Sequence, residues 1–122
     1  MMNGNALCPG LGDYLIAQAR NNHWSNHRLH SACLRLPASE YYANRTSFFG
    51  SIHIHLDHIV FVDWLYLERL TGEQYLPADV GDELHSELAP LVEDQVTADK
   101  ALIEYCEAAT PETLASKVSF KL

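Results

Sequence analysis

The sequence predicts an all-α domain, on three observations. Three long segments repeat apolar residues at alternating spacings of four and three, the signature of one helix face. Glycine or proline punctuates the ends of those segments. A strand-like alternation appears only in the last few residues. At 122 residues the chain suits one domain, 1–122, and is too short for two. A domain of this size hides roughly 65–70% of its unfolded surface, so a core is possible without disulfide or metal staples.

The first helix is predicted from Asp13 to Leu36. Asp13 follows the breakers Pro9, Gly10 and Gly12 and is the N-cap candidate, and Pro37 stops the helix. Leu15, Ala19, Asn22, Asn26, Leu29, Cys33 and Leu36 make its bundle face, with the two asparagines interrupting the stripe. Ala38–Phe49 is a connection, with a helical turn at Ser39–Ala43. The second helix starts near Thr46 or Ser47. Phe48, Ile52, Leu56, Ile59, Tyr66 and Leu70 form its inward stripe, with Asp63 on the same face. Val60, Phe61, Trp64, Leu65 and Leu67 make it apolar almost all round, so it must be covered on several sides. Thr71-Gly72 reads as a glycine C-cap.

The third helix is predicted from Asp82 to Ala108, facing inward through Leu84, Leu88, Leu91, Gln95, Ala98, Leu102 and Tyr105. Pro90 predicts a kink or interruption in its early turns. Thr110-Pro111 ends it. Val118, Phe120 and Leu122 then alternate with Ser119 and Lys121, which predicts a short C-terminal strand. Three amphipathic helices followed by an unpaired strand read as a bundle whose fourth helix is missing from this chain.

Composition excludes several functions. The net charge of -8, with no basic stripe, argues against a nucleic-acid partner. No uninterrupted apolar run reaches the roughly 18 residues of a membrane span. The N-terminus has no basic and apolar stretch of a signal peptide, so a cytoplasmic location is expected. The cysteines Cys8, Cys33 and Cys106 are odd in number and form no CxxC, which fits reduced thiols. Cys33 and Cys106 read as small core residues, and Cys8, in the N-terminal tail, has no assigned role. Asn44-Arg45-Thr46 is a chance glycosylation match. Gly-rich phosphate loops, GxSxG and HExxH are absent.

The chemistry therefore rests on the histidines of Ser51–Leu70, SIHIHLDHIVFVDWLYLERL. His55 and His58 stand three apart, within about 5–6 Å at Cβ, and neutral imidazoles so placed suit zinc, nickel or iron. Two histidines do not complete a site, and a structural or surface role is the alternative. His23, His27 and His30 stand at i, i+4 and i+7 on the first helix, a spacing that could place three ligands along one face, but beside Arg20 and Arg28 they read better as an exposed polar face. His85, between Glu83 and Glu87, reads as exposed too. Asp63 sits on an apolar face, where a carboxylate needs a partner. It either orients a ligand histidine from behind or bonds Asn22 or Asn26.

Two stretches carry a resemblance. Ala19–Leu36, ARNNHWSNHRLHSACLRL, resembles the first-helix signature of the DinB-like proteins, an aromatic residue followed by Ala/Ser-Asn and a leucine-rich turn. Phe48–Gly72, FFGSIHIHLDHIVFVDWLYLERLTG, resembles their second-helix signature: a Phe/Ser start, a Thr/His-Leu-Asn/Asp-His core, then Asp-x-x-Trp/Leu-x-x-Arg-Leu. The resemblance implies an up-down-down-up four-helix bundle that often forms a homodimer. It implies a divalent metal held by three histidines, one of them corresponding to His58 and two from a His-x-x-x-His pair on the fourth helix. That pair has no counterpart after Cys106. His55 stands where the family more often has Thr, so its ligand role rests on spacing alone.

Metal-dependent relatives are transferases and isomerases that use small-molecule thiols. The functional expectation is accordingly a divalent-metal-binding protein, as a thiol-dependent transferase or hydrolase-like enzyme. The alternative is a non-catalytic dimeric helical binding protein, or an inactive relative.

Overall fold

The computed structural model describes residues 10–120, among which five helices form: α1 (Leu11–Leu34), α2 (Ala38–Tyr41), α3 (Ile52–Thr71), α4 (Leu88–Ala108) and α5 (Pro111–Ala115). Cys8 and Leu122 lie outside these residues. The described residues are all-α, and the expected C-terminal strand is not seen among them: residues 116–120 are irregular. Alternation is not enough for a strand, because a ladder needs a second strand to pair with. Instead the Phe120 ring lies under the Arg69 guanidinium of α3, 4.1 Å from ring centroid to carbon.

The helix starts differ from expectation for local reasons. Gly10, not Asp13, occupies the N-cap of α1, and the Asp13 carboxylate reaches back to accept from the Gly10 N–H at 3.1 Å. Phe48 lies outside α3, which begins only after Ser51, whose hydroxyl accepts from the Ile54 N–H. Pro90 neither kinks nor interrupts α4. It sits in the first turn, where a missing N–H costs nothing, and residues 82–87 belong to the preceding loop. The glycine C-cap forms as expected, with Gly72 at φ 77° closing α3.

Cross-helix bonds fix the directions. Arg20 meets Glu107 and Asn26 meets Asp99, so α1 and α4 run antiparallel. His53 meets the chain at His85, Trp64 meets Asp94, and Thr71 lies near Glu104 and Tyr105, so α3 and α4 run parallel. Parallel neighbours require a long crossover, and the loop Gly72–Glu87 supplies it. Its path is nailed down at both ends. The Glu68 carboxylate accepts from the N–H groups of Tyr75 and Leu76, and the Asp57 carboxylate from those of Leu84 and His85.

Helix α4 packs against both α1 and α3. The apolar core joins Cys33, Tyr41, Leu56, Val60, Trp64, Leu67, Leu76, Leu88, Leu91 and Ala98. The inward face of α3 is thus centred on Val60, Trp64 and Leu67. Of the stripe expected to face inward, Leu56 is buried but Ile59, Tyr66 and Leu70 are 41%, 56% and 41% exposed. The reason is that α4 covers α3 from the Val60 side only. No helix among the described residues is long and apolar enough to cross a membrane.

Candidate functional site

His58, expected as a metal ligand, is exposed on α3. Its ring lies against Phe49 at a centroid distance of 4.5 Å and stacks more distantly on Phe61. His55 is half-buried, meets the Ser47 hydroxyl at 3.1 Å and packs edge-on against the same Phe49 ring. The structure thus brings the two histidines to one aromatic side chain, and Phe49 occupies their near surroundings. Among the described residues no three His, Cys, Asp or Glu side chains converge so as to hold a metal ion. The donor set therefore does not fit the three-histidine centre that the resemblance implies.

Asp63 takes neither expected role. Its carboxylate accepts from Gln95 Nε2 at 2.8 Å, and the same amide nitrogen donates to Asp99 at 3.0 Å. Asn22 and Asn26, the interruptions in the α1 stripe, both donate to Asp99, and His23 Nδ1 lies 3.2 Å from its other oxygen. Asp63 and the asparagines thus belong to one network, joined through Gln95 rather than directly. Asp99 and Gln95 are almost fully buried. With both amide protons of Gln95 aimed at carboxylates, its Oε1 is left buried without a partner. Burial pushes the Asp63 carboxyl above the ordinary range; the Gln95 bond opposes the shift and the nearby Asp99 charge adds to it.

The α1 histidines are not one exposed face. His27 is exposed and His23 half-buried, but His30 is buried. Burial lowers the basicity of His30, partly offset by the Asp99 charge and reinforced by His27. The register explains the difference: His23 and His30 share the buried side with Ala19, Asn26 and Cys33, and His27 is turned away. Burial also raises the pKa of the Cys33 and Cys106 thiols, which keeps them protonated and poorly nucleophilic.

The histidine that sequence reasoning passed over is His53. It is 2% exposed and bonded on both ring nitrogens. Nε2 faces the His85 carbonyl, which can only accept, so Nε2 donates and Nδ1 accepts the Tyr41 hydroxyl at 2.7 Å. Burial in turn pushes the Tyr41 phenol well up from its ordinary value. A signal was present, since His53, Val60 and Leu67 are spaced by seven and share one helix face.

His85 is not exposed as expected but half-buried in the crossover. Its main chain is held on one side by Asp57 and on the other by His53, and its Nε2 meets Asp94 Oδ2 at 2.6 Å. The Trp64 indole N–H donates to the other oxygen of Asp94 at 2.9 Å. The Tyr42 hydroxyl accepts from the Leu88 N–H and so caps α4.

The model of the DinB family matches residues 2–119. No curated protein and no solved structure is significantly similar.

Proposed function

We propose that this chain, which belongs to the DinB family, works as a self-associating helical binding protein. One observation carries the reading. Helix α3 has two apolar stripes, and among the described residues the Val60–Trp64–Leu67 side is the one that is covered. Ile59, Tyr66 and Leu70 form the second stripe and stay exposed. A second copy offers the same stripe, and a two-fold contact buries both at once. Trp64 is buried in the core, and Phe61 and Leu65 pack against it, so the contact is placed on the exposed stripe and not on that side.

A second reading keeps the family's divalent metal. His58 is exposed, so a donor from another chain can reach it, and zinc, nickel or iron accepts such imidazoles. In that reading a partner chain supplies the remaining ligands. Transferase or hydrolase chemistry on a small-molecule thiol belongs to this second reading alone.

Light scattering at micromolar concentration tests the first. Wild-type protein has the mass of a dimer, and Tyr66→Glu yields a monomer with unchanged helical circular dichroism. A monomeric wild-type protein overturns the proposal.

A further inference from the structure

Between the crossover loop, α3 and α4 lies an open cleft of about 530 Å³, within the size range of small-molecule sites. Its walls are largely apolar and aromatic: Trp64, Tyr75, Leu76, Pro77, Leu84 and Pro90. Tyr75 packs on the Trp64 ring at a centroid distance of 4.8 Å, and of the two Tyr75 is the exposed one, at 38% against 7% for Trp64. The polar lining is His85, Glu93, Asp94 and Thr97, and the lining contains no lysine or arginine.

The polar groups are arranged in advance. Asp94 uses one oxygen to accept from Trp64 and the other to accept from His85 Nε2–H. A carboxylate can only accept, so in the neutral ring the proton sits on Nε2, and Nδ1, which has no partner among the described residues, carries the lone pair. The bond to Asp94 holds the ring, and the His85 backbone that carries it is held from both sides by Asp57 and His53. Three nearly buried side chains, Tyr41, His53 and Asp57, thus serve to fix one partly exposed histidine at the mouth of a cleft.

We infer that this cleft binds a small organic ammonium ion with an apolar or aromatic body. Two carboxylates and no fixed positive group set the charge. The His85 lone pair accepts an N–H, and the exposed Tyr75 ring, backed by Trp64, packs the body and attracts the cation. The net charge of -8 draws cations toward the surface. The inference is independent of self-association, because the cleft lies on the Trp64 side of α3 and the exposed Ile59–Tyr66–Leu70 stripe on another.

The chain has two tryptophans, so Trp24→Phe leaves Trp64 as the sole indole reporter. Titration of that protein at pH 8 with benzylamine gives a saturable change in Trp64 emission. Benzyl alcohol and benzoate, of similar size, bind at least roughly tenfold more weakly, as expected when a charge-assisted bond is lost. Asp94→Asn weakens benzylamine binding by a similar factor. Should that variant unfold, Glu93→Gln, at an exposed position, decides the matter with a roughly two- to fivefold loss, the scale of a solvent-exposed charge contact. The inference is overturned if benzylamine leaves Trp64 emission unchanged to millimolar concentration, if benzyl alcohol binds equally well, or if removing the cleft carboxylates leaves affinity unaltered.

Discussion

Replacing Asp99 by Ala removes the hub that ties α1 to α4, and its cost can be worked out from the donors it serves. Four groups lose an acceptor: the amides of Asn22, Asn26 and Gln95, and the His23 ring. Hydrogen bonds to a charged group contribute about 1.5–3 kcal/mol each, so treating all four as independent gives an unrealistically large loss. Three of the donors are half-buried and recover water once the carboxylate is gone. Gln95 is not so placed, but its amide keeps Asp63. The variant also escapes the desolvation of Asp99, which is 2% exposed. The balance is a loss of about 3 kcal/mol, with a packing cost from the shortened side chain included. Urea unfolding followed by far-ultraviolet circular dichroism measures it. Hydrogen exchange should show the loosening first in Leu11–Leu34, because Asp99 is the main polar tether of that helix. A loss below about 1 kcal/mol, within the range of ordinary surface substitutions, refutes the reasoning.

Two further outcomes concern titratable groups. Asp63→Asn keeps an acceptor for Gln95 while removing a half-buried charge beside Asp99, and should raise the melting temperature by roughly 3–6 °C, the equivalent of about 1 kcal/mol at this size; a lower melting temperature measured by calorimetry contradicts this. The basicity of His30 is lowered on folding, so below the ordinary imidazole value of about 6.5 the unfolded chain takes up the proton first. Stability should therefore fall as pH drops below that value, and His30→Leu should flatten the fall in urea midpoints measured from pH 7 to pH 5. Asp63 acts with the opposite sign, its raised pKa favouring the fold at acid pH, so the His30 effect is read as the difference between wild type and variant.

The all-α class, the three long helices and the Gly72 cap could be read from spacing and punctuation, because these are local properties. The beginnings of α3 and α4 could not. Their sequence-predicted starts ran into segments that are apolar or acidic enough to be helical, and only tertiary contacts assign them elsewhere. His85 is the clearest case: whether it heads a helix or sits in a crossover depends on α3 and α4 being parallel, which no local pattern encodes. The polar network was half visible. Asn22, Asn26, Asp63 and Gln95 stand out as polar residues in apolar stripes, but Asp99, which joins them, lies outside the stripe read for its helix. The ligand role of His55 rests on spacing alone, and that of His58 on spacing and the resemblance. Imidazole spacing does not report which way the helix is turned, and on α3 the buried side belongs to His53.

The central claim is that the histidines of this chain do not assemble a metal centre, since no three donors meet among the described residues. Calorimetric titration of the 122-residue protein with zinc, in parallel with His58→Ala, addresses it directly. The expected result is no stoichiometric binding tighter than roughly 10 μM, about -7 kcal/mol, and the same weak isotherm in both proteins. One zinc per chain or per dimer, bound more tightly than that and lost in His58→Ala, would contradict the claim and establish His58 as a ligand.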